Sequence, residues 1–157
     1  MSPRWPSGVG TTYSAGSSSL MTIHRQVNDK DSTAGAGERP ATPGLLAERL
    51  AAAFLERNGL SILARNYRCR GGEVDLICED RQVLVFVEVR LRRNACYGGA
   101  AASITRAKQG RIVLAARHYL ASHTATRREP ECRFDCLLLD ALSEAAIEWL
   151  RDAFAAA

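Results

Sequence analysis

The stretch VLVFVEVRL, residues 83 to 91, constrains this chain more than any other. Valines stand at 83, 85, 87 and 89, while Leu84, Phe86, Glu88 and Arg90 fill the positions between. Successive side chains of a strand point to opposite faces, so the two sets lie on opposite sides of a sheet. Both sets are apolar as far as Val87, which predicts a central strand covered on both sides. The strand then ends in a carboxylate and a guanidinium on one face. A fold buries charge only where it is paired, bound to a metal or used.

The surrounding periodicity predicts the order α-β-β-β-α-β-(β): an α/β (α+β) domain with a mixed sheet flanked by helices. The first helix is GLLAERLAAAFLERNGL, with Leu46, Leu50 and Phe54 at helical spacing, Ala51, Ala53 and Leu55 widening the apolar stripe, and Gly59 as its stop. SILARNYR reads as a strand, followed by a Gly71-Gly72 turn and the strands EVDLICE and QVLVFVEVRL, joined by a tight hairpin loop, EDRQ. After the glycine-containing loop NACYGGAA, residues 103 to 122 read as a helix capped by Ser103 or Thr105, with Ile112, Ala115, Ala116, Tyr119 and Leu120 on its buried face. CRFDCLLLD reads as a strand and AAIEWL as a strand or a short helix.

Residues 1–43 differ from the rest. They are rich in Ser, Gly, Ala, Thr and Pro without hydrophobic periodicity, so the expectation is a disordered tail before a domain at 44–157. Met21 offers a second translation start within it. The 157 residues suit one compact domain. From Gly44 onward there are 17 basic and 14 acidic residues, a net charge of +3, which admits a polyanionic partner without requiring one. Lys30 and Lys108 are the only lysines; the remaining basic residues are arginines. The five cysteines form no C-x-x-C pair, which argues against a zinc site and for reduced thiols in a cytoplasmic protein. No apolar run approaches a membrane span, so no membrane partner is expected.

The hairpin between the second and third strands brings carboxylates together. A turn about Asp80-Arg81 sets Glu73 opposite Glu88 and Asp75 opposite Phe86, with Asp75 and Glu88 diagonal neighbours. Moving the turn's centre by one residue shifts the pairing by two and keeps the same faces together. Clustered carboxylates repel unless a counter-charge intervenes, and Mg2+ or Mn2+ suits hard oxygen ligands. A cation there can orient water and stabilise a phosphoryl transition state, with Arg90 beside the phosphate. Arg65, Arg68, Arg70, Arg92 and Arg93, together with Arg106 and Arg111, offer a positive rim for a nucleic-acid backbone.

Asp75, twelve intervening residues and then Glu88-Val89-Arg90 resemble the D-x(n)-E-x-K motif of PD-(D/E)xK nucleases. The longer pattern RGGEVDLI…VFVEVR…YGGAAASIT…KQ…RFD is similar to the YraN family of bacterial proteins across residues 44 to 154. That resemblance implies a restriction-endonuclease-like fold related to Holliday-junction resolvases. It implies Asp75 and Glu88 as ligands of Mg2+ or Mn2+, the Val89 carbonyl as a further ligand, and Glu48 as the acidic residue placed near the metal and counted among the metal residues. Arg90 occupies the position of the motif's lysine; arginine holds its proton, so it stabilises charge rather than acting as a base. Lys108 and Gln109 would approach the active edge from the second helix.

Plainer roles exist for each. Glu88 and Arg90 form an ion pair in one alternative, and Glu73 is a turn residue rather than a ligand. Asp135 pairs with Arg133, while His118 and His123 pack or lie on the surface. Tyr97 fills a gap beneath its loop or stacks on a base. Three functions follow: a metal-dependent endonuclease acting on DNA, branched DNA included; a nucleic-acid-binding module with little catalysis; or a protein scaffold. Junction cleavage would call for a homodimer, since two strands must be cut symmetrically.

Overall fold

A computed structural model describes residues 40–92, 104–123 and 130–156. The elements run α1 (Pro43–Arg57), β1 (Ser61–Cys69), β2 (Gly72–Asp80), β3 (Val83–Leu91), α2 (Arg106–His123), β4 (Glu131–Leu139), a 3-10 turn (Glu144–Ala146) and β5 (Ile147–Leu150). This is the α+β order expected, and AAIEWL supplies both the short helical turn and the strand. The tail assigned to residues 1–43 lies outside the described residues up to 39. Pro43 itself opens α1.

The five strands lie in the order β1-β2-β3-β4-β5. β1, β2 and β3 form an antiparallel meander, β3 and β4 pair in parallel, and β5 returns antiparallel to β4. The parallel step requires a crossover, and α2 lies within it. β3 alternates between two cores. Leu84 and Phe86 pack in the cluster under α2, and Val85 and Val87 in the cluster under α1.

Helix ends follow local chemistry. Thr42 Oγ1 accepts the Leu45 N–H at 3.3 Å, with Pro43 in the first turn. Asn58 and then Gly59, at φ 88°, end α1. Thr105 Oγ1 accepts the Lys108 N–H at 3.3 Å and caps α2. Ser103, the other candidate cap, lies outside the described residues.

Two expectations need correction. The buried face of α1 is Ala47, Ala51, Ala52 and Leu55: of the expected stripe Ala51 and Leu55 are buried, Leu50 and Phe54 pack half-buried at the edge, and Leu46 is 40% exposed. Alanines let the helix axis sit close over Val85, Val87, Leu137 and Leu139, and the larger side chains flank that seam. The β2–β3 turn centres on Arg81-Gln82, with Asp80 opposite Val83 and Leu76 opposite Val87. Arg81 takes the left-handed conformation that the tight turn needs, at φ 60°. The pairing is therefore displaced by two residues, which preserves the faces.

Gly72 sets how closely α2 approaches the sheet. A Cβ there would stand 2.7 Å from Ala115 N and 2.9 Å from Arg111 O, both helix backbone atoms. Gly72→Ala is expected to destabilise the protein by about 1–3 kcal/mol through overpacking. Gly110→Ala, with nothing within 4 Å of the added carbon, should stabilise it by up to about 1 kcal/mol. Urea unfolding midpoints of the two variants check both signs. No helix among the described residues is long and apolar enough to cross a membrane. Cys69 and Cys78 are free thiols.

Candidate active-site cleft

The β2–β3 ladder ends at Leu76 and Val87. The next residue of β2, Asp75, uses its side chain in place of the backbone: its Oδ2 accepts the Val89 N–H at 2.8 Å. Val74 and Ile77 both pack in the α2 cluster, so the strict alternation of β2 breaks across Asp75. Glu88 continues the Leu84/Phe86 face of β3 toward α2. It is 4% exposed, and Asp135 is the other buried acidic residue of the core.

These residues floor a cleft of about 560 Å³, open at the C-terminal end of β3. Thr42, Pro43, Gly44 and Glu48 of the α1 end form one wall. Thr105, Lys108 and Arg111 of the α2 end form another, and Asp75, Glu88, Val89 and Arg90 come from the sheet. Neither helix carries an acidic residue in its first turn, so both positive helix ends act on the cleft without local neutralisation. An anion suits this opening, and the floor beneath it is acidic.

The charges interlock. Lys108 Nζ lies 2.9 Å from Glu73 Oε1 and 3.2 Å from Glu88 Oε2, and Arg111 NH1 lies 3.5 Å from Glu73 Oε1. Burial, reinforced by the Asp75 charge and opposed by Lys108, pushes the Glu88 carboxyl up to about 7. Burial also raises Glu48; the hydrogen bond from Asn66 Nδ2 to its Oε2, at 2.9 Å, opposes that rise and the Asp75 charge adds to it. The Lys108 hydrogen bond and charge hold Glu73 below the usual carboxylate range. Burial works against the Lys108 ammonium, but its bond to Glu73 and the charge of Glu88 outweigh this and raise it.

Glu48, Asp75, Glu88, Arg90 and Lys108, which lie far apart in sequence, thus meet in one cleft. The cation beside Glu88 is Lys108 rather than Arg90. Arg90 lines the exposed rim and forms no ion pair with any described residue, so the alternative of a Glu88–Arg90 pair does not apply here.

Residues assigned to nucleic-acid contact divide. Arg111 lines the cleft. Arg106, Arg70, Arg65 and Arg68 are exposed, and Arg68 is close enough to lower both Glu48 and Glu73. Gln109 donates to the Ile104 carbonyl at 3.0 Å and supports the start of α2. Arg92 is committed to Asp140 and Glu148, each at 2.9 Å, and clamps β3 to the β4–β5 connection. Arg93 and Tyr97 lie outside the described residues.

The plainer roles hold elsewhere. Asp135 is fully buried among Arg133, Trp149 and the Asp152 N–H, on the α1 side of the sheet. His118 Nδ1 lies 2.7 Å from the Tyr67 hydroxyl, and His123 stacks on Tyr119 at 4.3 Å. Sequence reasoning missed Asn66, which bends β1 at φ 50° and aims its amide at Glu48. Its signal was an asparagine inside a strand, since Asn tolerates the left-handed conformation better than most residues. It also missed that Glu73 anchors Lys108, a contact with no trace in local periodicity.

Among the described residues no three His, Cys, Asp or Glu side chains form a ready-made metal cage. Glu88 Oε2 is nevertheless buried without a hydrogen-bond partner; Lys108 Nζ stands at ion-pair distance but out of alignment. Magnesium and manganese take one or two carboxylates and keep much of their water, so Asp75 and Glu88 fit such an ion better than a fully protein-bound one.

The sequence model of the family described as uncharacterised protein family UPF0102 matches residues 47–139. The chain is 53% identical over 108 residues to a UPF0102 protein of Nitrosomonas europaea, covering 69% of this chain and 89% of the relative. Against one from Nitrosospira multiformis it is 54% identical over 111 residues, covering 71% and 91%. Against one from Dechloromonas aromatica it is 48% identical over 131 residues, covering 83% and 98%.

Proposed function

This chain belongs to uncharacterised protein family UPF0102, the YraN family, and on that footing we propose that it is a divalent-cation-dependent phosphodiesterase acting on nucleic acid, with DNA as the preferred substrate. The observation that carries the reading is the juxtaposition of Asp75 and Glu88 beneath Lys108, Arg90 and Arg111. A phosphodiester needs positive groups around its oxygens, and an activated water needs a base and a polarising centre. Both sets face the same opening. The likeness of Asp75…Glu88-Val89-Arg90 to the PD-(D/E)xK motif points the same way.

When bound, Mg2+ or Mn2+ supplies Lewis acidity to a phosphoryl oxygen and lowers the pKa of water. Asp75 and Glu88 would hold it, with the Val89 carbonyl nearby. The chain's own groups do the remaining work. Arg90, Arg111 and the positive end of α2 orient the phosphate at the rim. Lys108 places an ammonium against a non-bridging oxygen. Glu48, raised by burial and steadied by Asn66, accepts the proton of the attacking water. That water forms the new oxygen–phosphorus bond as the opposite one breaks, and the departing oxygen takes a proton from solvent. If the substrate is a four-way junction, a two-fold homodimer would present two such clefts.

The test is cleavage of labelled linear, flapped and branched DNA with and without Mg2+ or Mn2+, comparing wild type with Asp75→Asn. Asparagine keeps an acceptor for the Val89 N–H, so the fold should survive. Cation-dependent cleavage by wild type alone supports the proposal; equal cleavage by both rejects it. Arg90, standing where the motif has a lysine and holding its proton, favours, as a second reading, binding without hydrolysis. That reading predicts cation-independent DNA affinity that falls steeply with salt.

A further inference from the structure

Lys108 has two carboxylate partners among the described residues, and they differ. Its ammonium is hydrogen-bonded to Glu73 Oε1 at 2.9 Å, and Glu73 is one-third exposed. Toward Glu88 Oε2 it lies at 3.2 Å without hydrogen-bond alignment, and that side chain is only 5% exposed. The well-formed contact is therefore the outer one, and the loose contact is at the buried oxygen. A divalent ion on Asp75 and Glu88 would meet the ammonium at the same oxygen, where like charges repel strongly in a partly dry cleft.

We propose that Glu73 is a positioning residue that retains Lys108 in the cleft when a divalent cation takes Glu88. In the metal-free protein Lys108 bridges Glu73 and Glu88; when the ion arrives it gives up Glu88 and keeps Glu73. This rests on the reading of Asp75 and Glu88 as a cation-binding pair. Without Glu73 the ammonium has only the buried carboxylate to pair with, so it competes directly with the ion. With Glu73 it stays beside the ion, where a phosphodiester oxygen can use it.

The experiment is Mn2+ binding to the full chain at pH 8, read by the electron paramagnetic resonance signal of free Mn2+. Wild type is compared with Asp75→Asn, Lys108→Met, Glu73→Gln and the Glu73→Gln/Lys108→Met double variant. Lys108→Met should tighten Mn2+ binding and Glu73→Gln should weaken it, each by about tenfold, a size usual for coupled neighbours. Glu73→Gln should have no effect once Lys108 is gone, and Glu73→Asp should restore near-normal affinity. A Glu73→Gln effect of equal size in both backgrounds would mean that Glu73 acts only as a distant charge, and would overturn the proposal. So would weaker binding in Lys108→Met. Absence of Mn2+ binding by wild type, or binding unchanged in Asp75→Asn, overturns the cation pair itself and this inference with it. Unfolding midpoints of each variant identify any that fail to fold; if Glu73→Gln is one, Glu73→Ala takes its place, with weaker Mn2+ binding expected only in the presence of Lys108.

Discussion

Glu88→Gln is expected to abolish cation-dependent cleavage and to make the metal-free protein more stable at alkaline pH. Loss of a contact that merely supports a metal ligand costs about 10–100-fold, so loss of a ligand should exceed the upper figure. The stability gain follows from burial. The Glu88 carboxyl titrates at about 7 in the folded protein against an ordinary value of 4.5. Folding therefore favours its protonated form. That contribution is complete below pH 4.5 and is lost as pH rises through 7. At about 1.4 kcal/mol per pKa unit the loss is on the order of 3 kcal/mol. Glutamine is neutral throughout, so the variant should lack this decline. Urea unfolding at pH 4.5, 6 and 8 checks it: the two proteins should agree in acid and diverge in base. Millimolar Mg2+ should recover the lost stability of wild type at pH 8 and do nothing for the variant. A wild-type stability that does not fall over this range would contradict the burial argument.

Asp135→Ala should cost about 3–5 kcal/mol, as breaking a buried ion pair by removing one partner does. Asp135 is fully buried and accepts four hydrogen bonds. Arg133 supplies two, at 2.9 and 3.1 Å, and Trp149 Nε1 and the Asp152 N–H supply one each at 3.0 Å. Alanine leaves all four donors without that acceptor, and Arg133 keeps only Asp80 at 3.1 Å. The network ties β4 to β5 and to the hairpin tip, so the unfolding midpoint should fall sharply. Asp135 stands opposite Val87 in the β3–β4 ladder and faces α1, whereas Glu88 faces α2. Cation affinity measured well below the lowered midpoint should therefore match wild type. A selective loss of cation binding would instead make Asp135 part of the site.

Much of this was legible in the chain itself, for reasons that differ by residue. The two-sided burial of β3 follows from valines alternating with larger apolar residues, a period set by backbone geometry. The gathering of Asp75 and Glu88 at one opening survived an error of two residues in register, because the short hairpin keeps the two strand ends together even where the alternation of β2 breaks across Asp75. The face of α1 was legible only in part: Ala51 and Leu55 belong to the apolar stripe, but Ala47 and Ala52 do not stand out in it. With leucines and alanines around most of its circumference, only the shape of the sheet selects the alanines. That rotation leaves Glu48 at the border of the buried face, within reach of Asn66. Nor was the identity of the cation at Glu88 legible. Arg90 is two residues away, yet Lys108 arrives from twenty residues further on.

The amino-acid sequence by itself determined the order of elements along the chain and the acidic pair, since local periodicity and a short hairpin place Asp75 and Glu88 together. Only the tertiary structure decided which positive group answers them. That choice depends on how closely α2 can lie on the sheet, and Gly72 permits the approach because it has no side chain to hold the helix away.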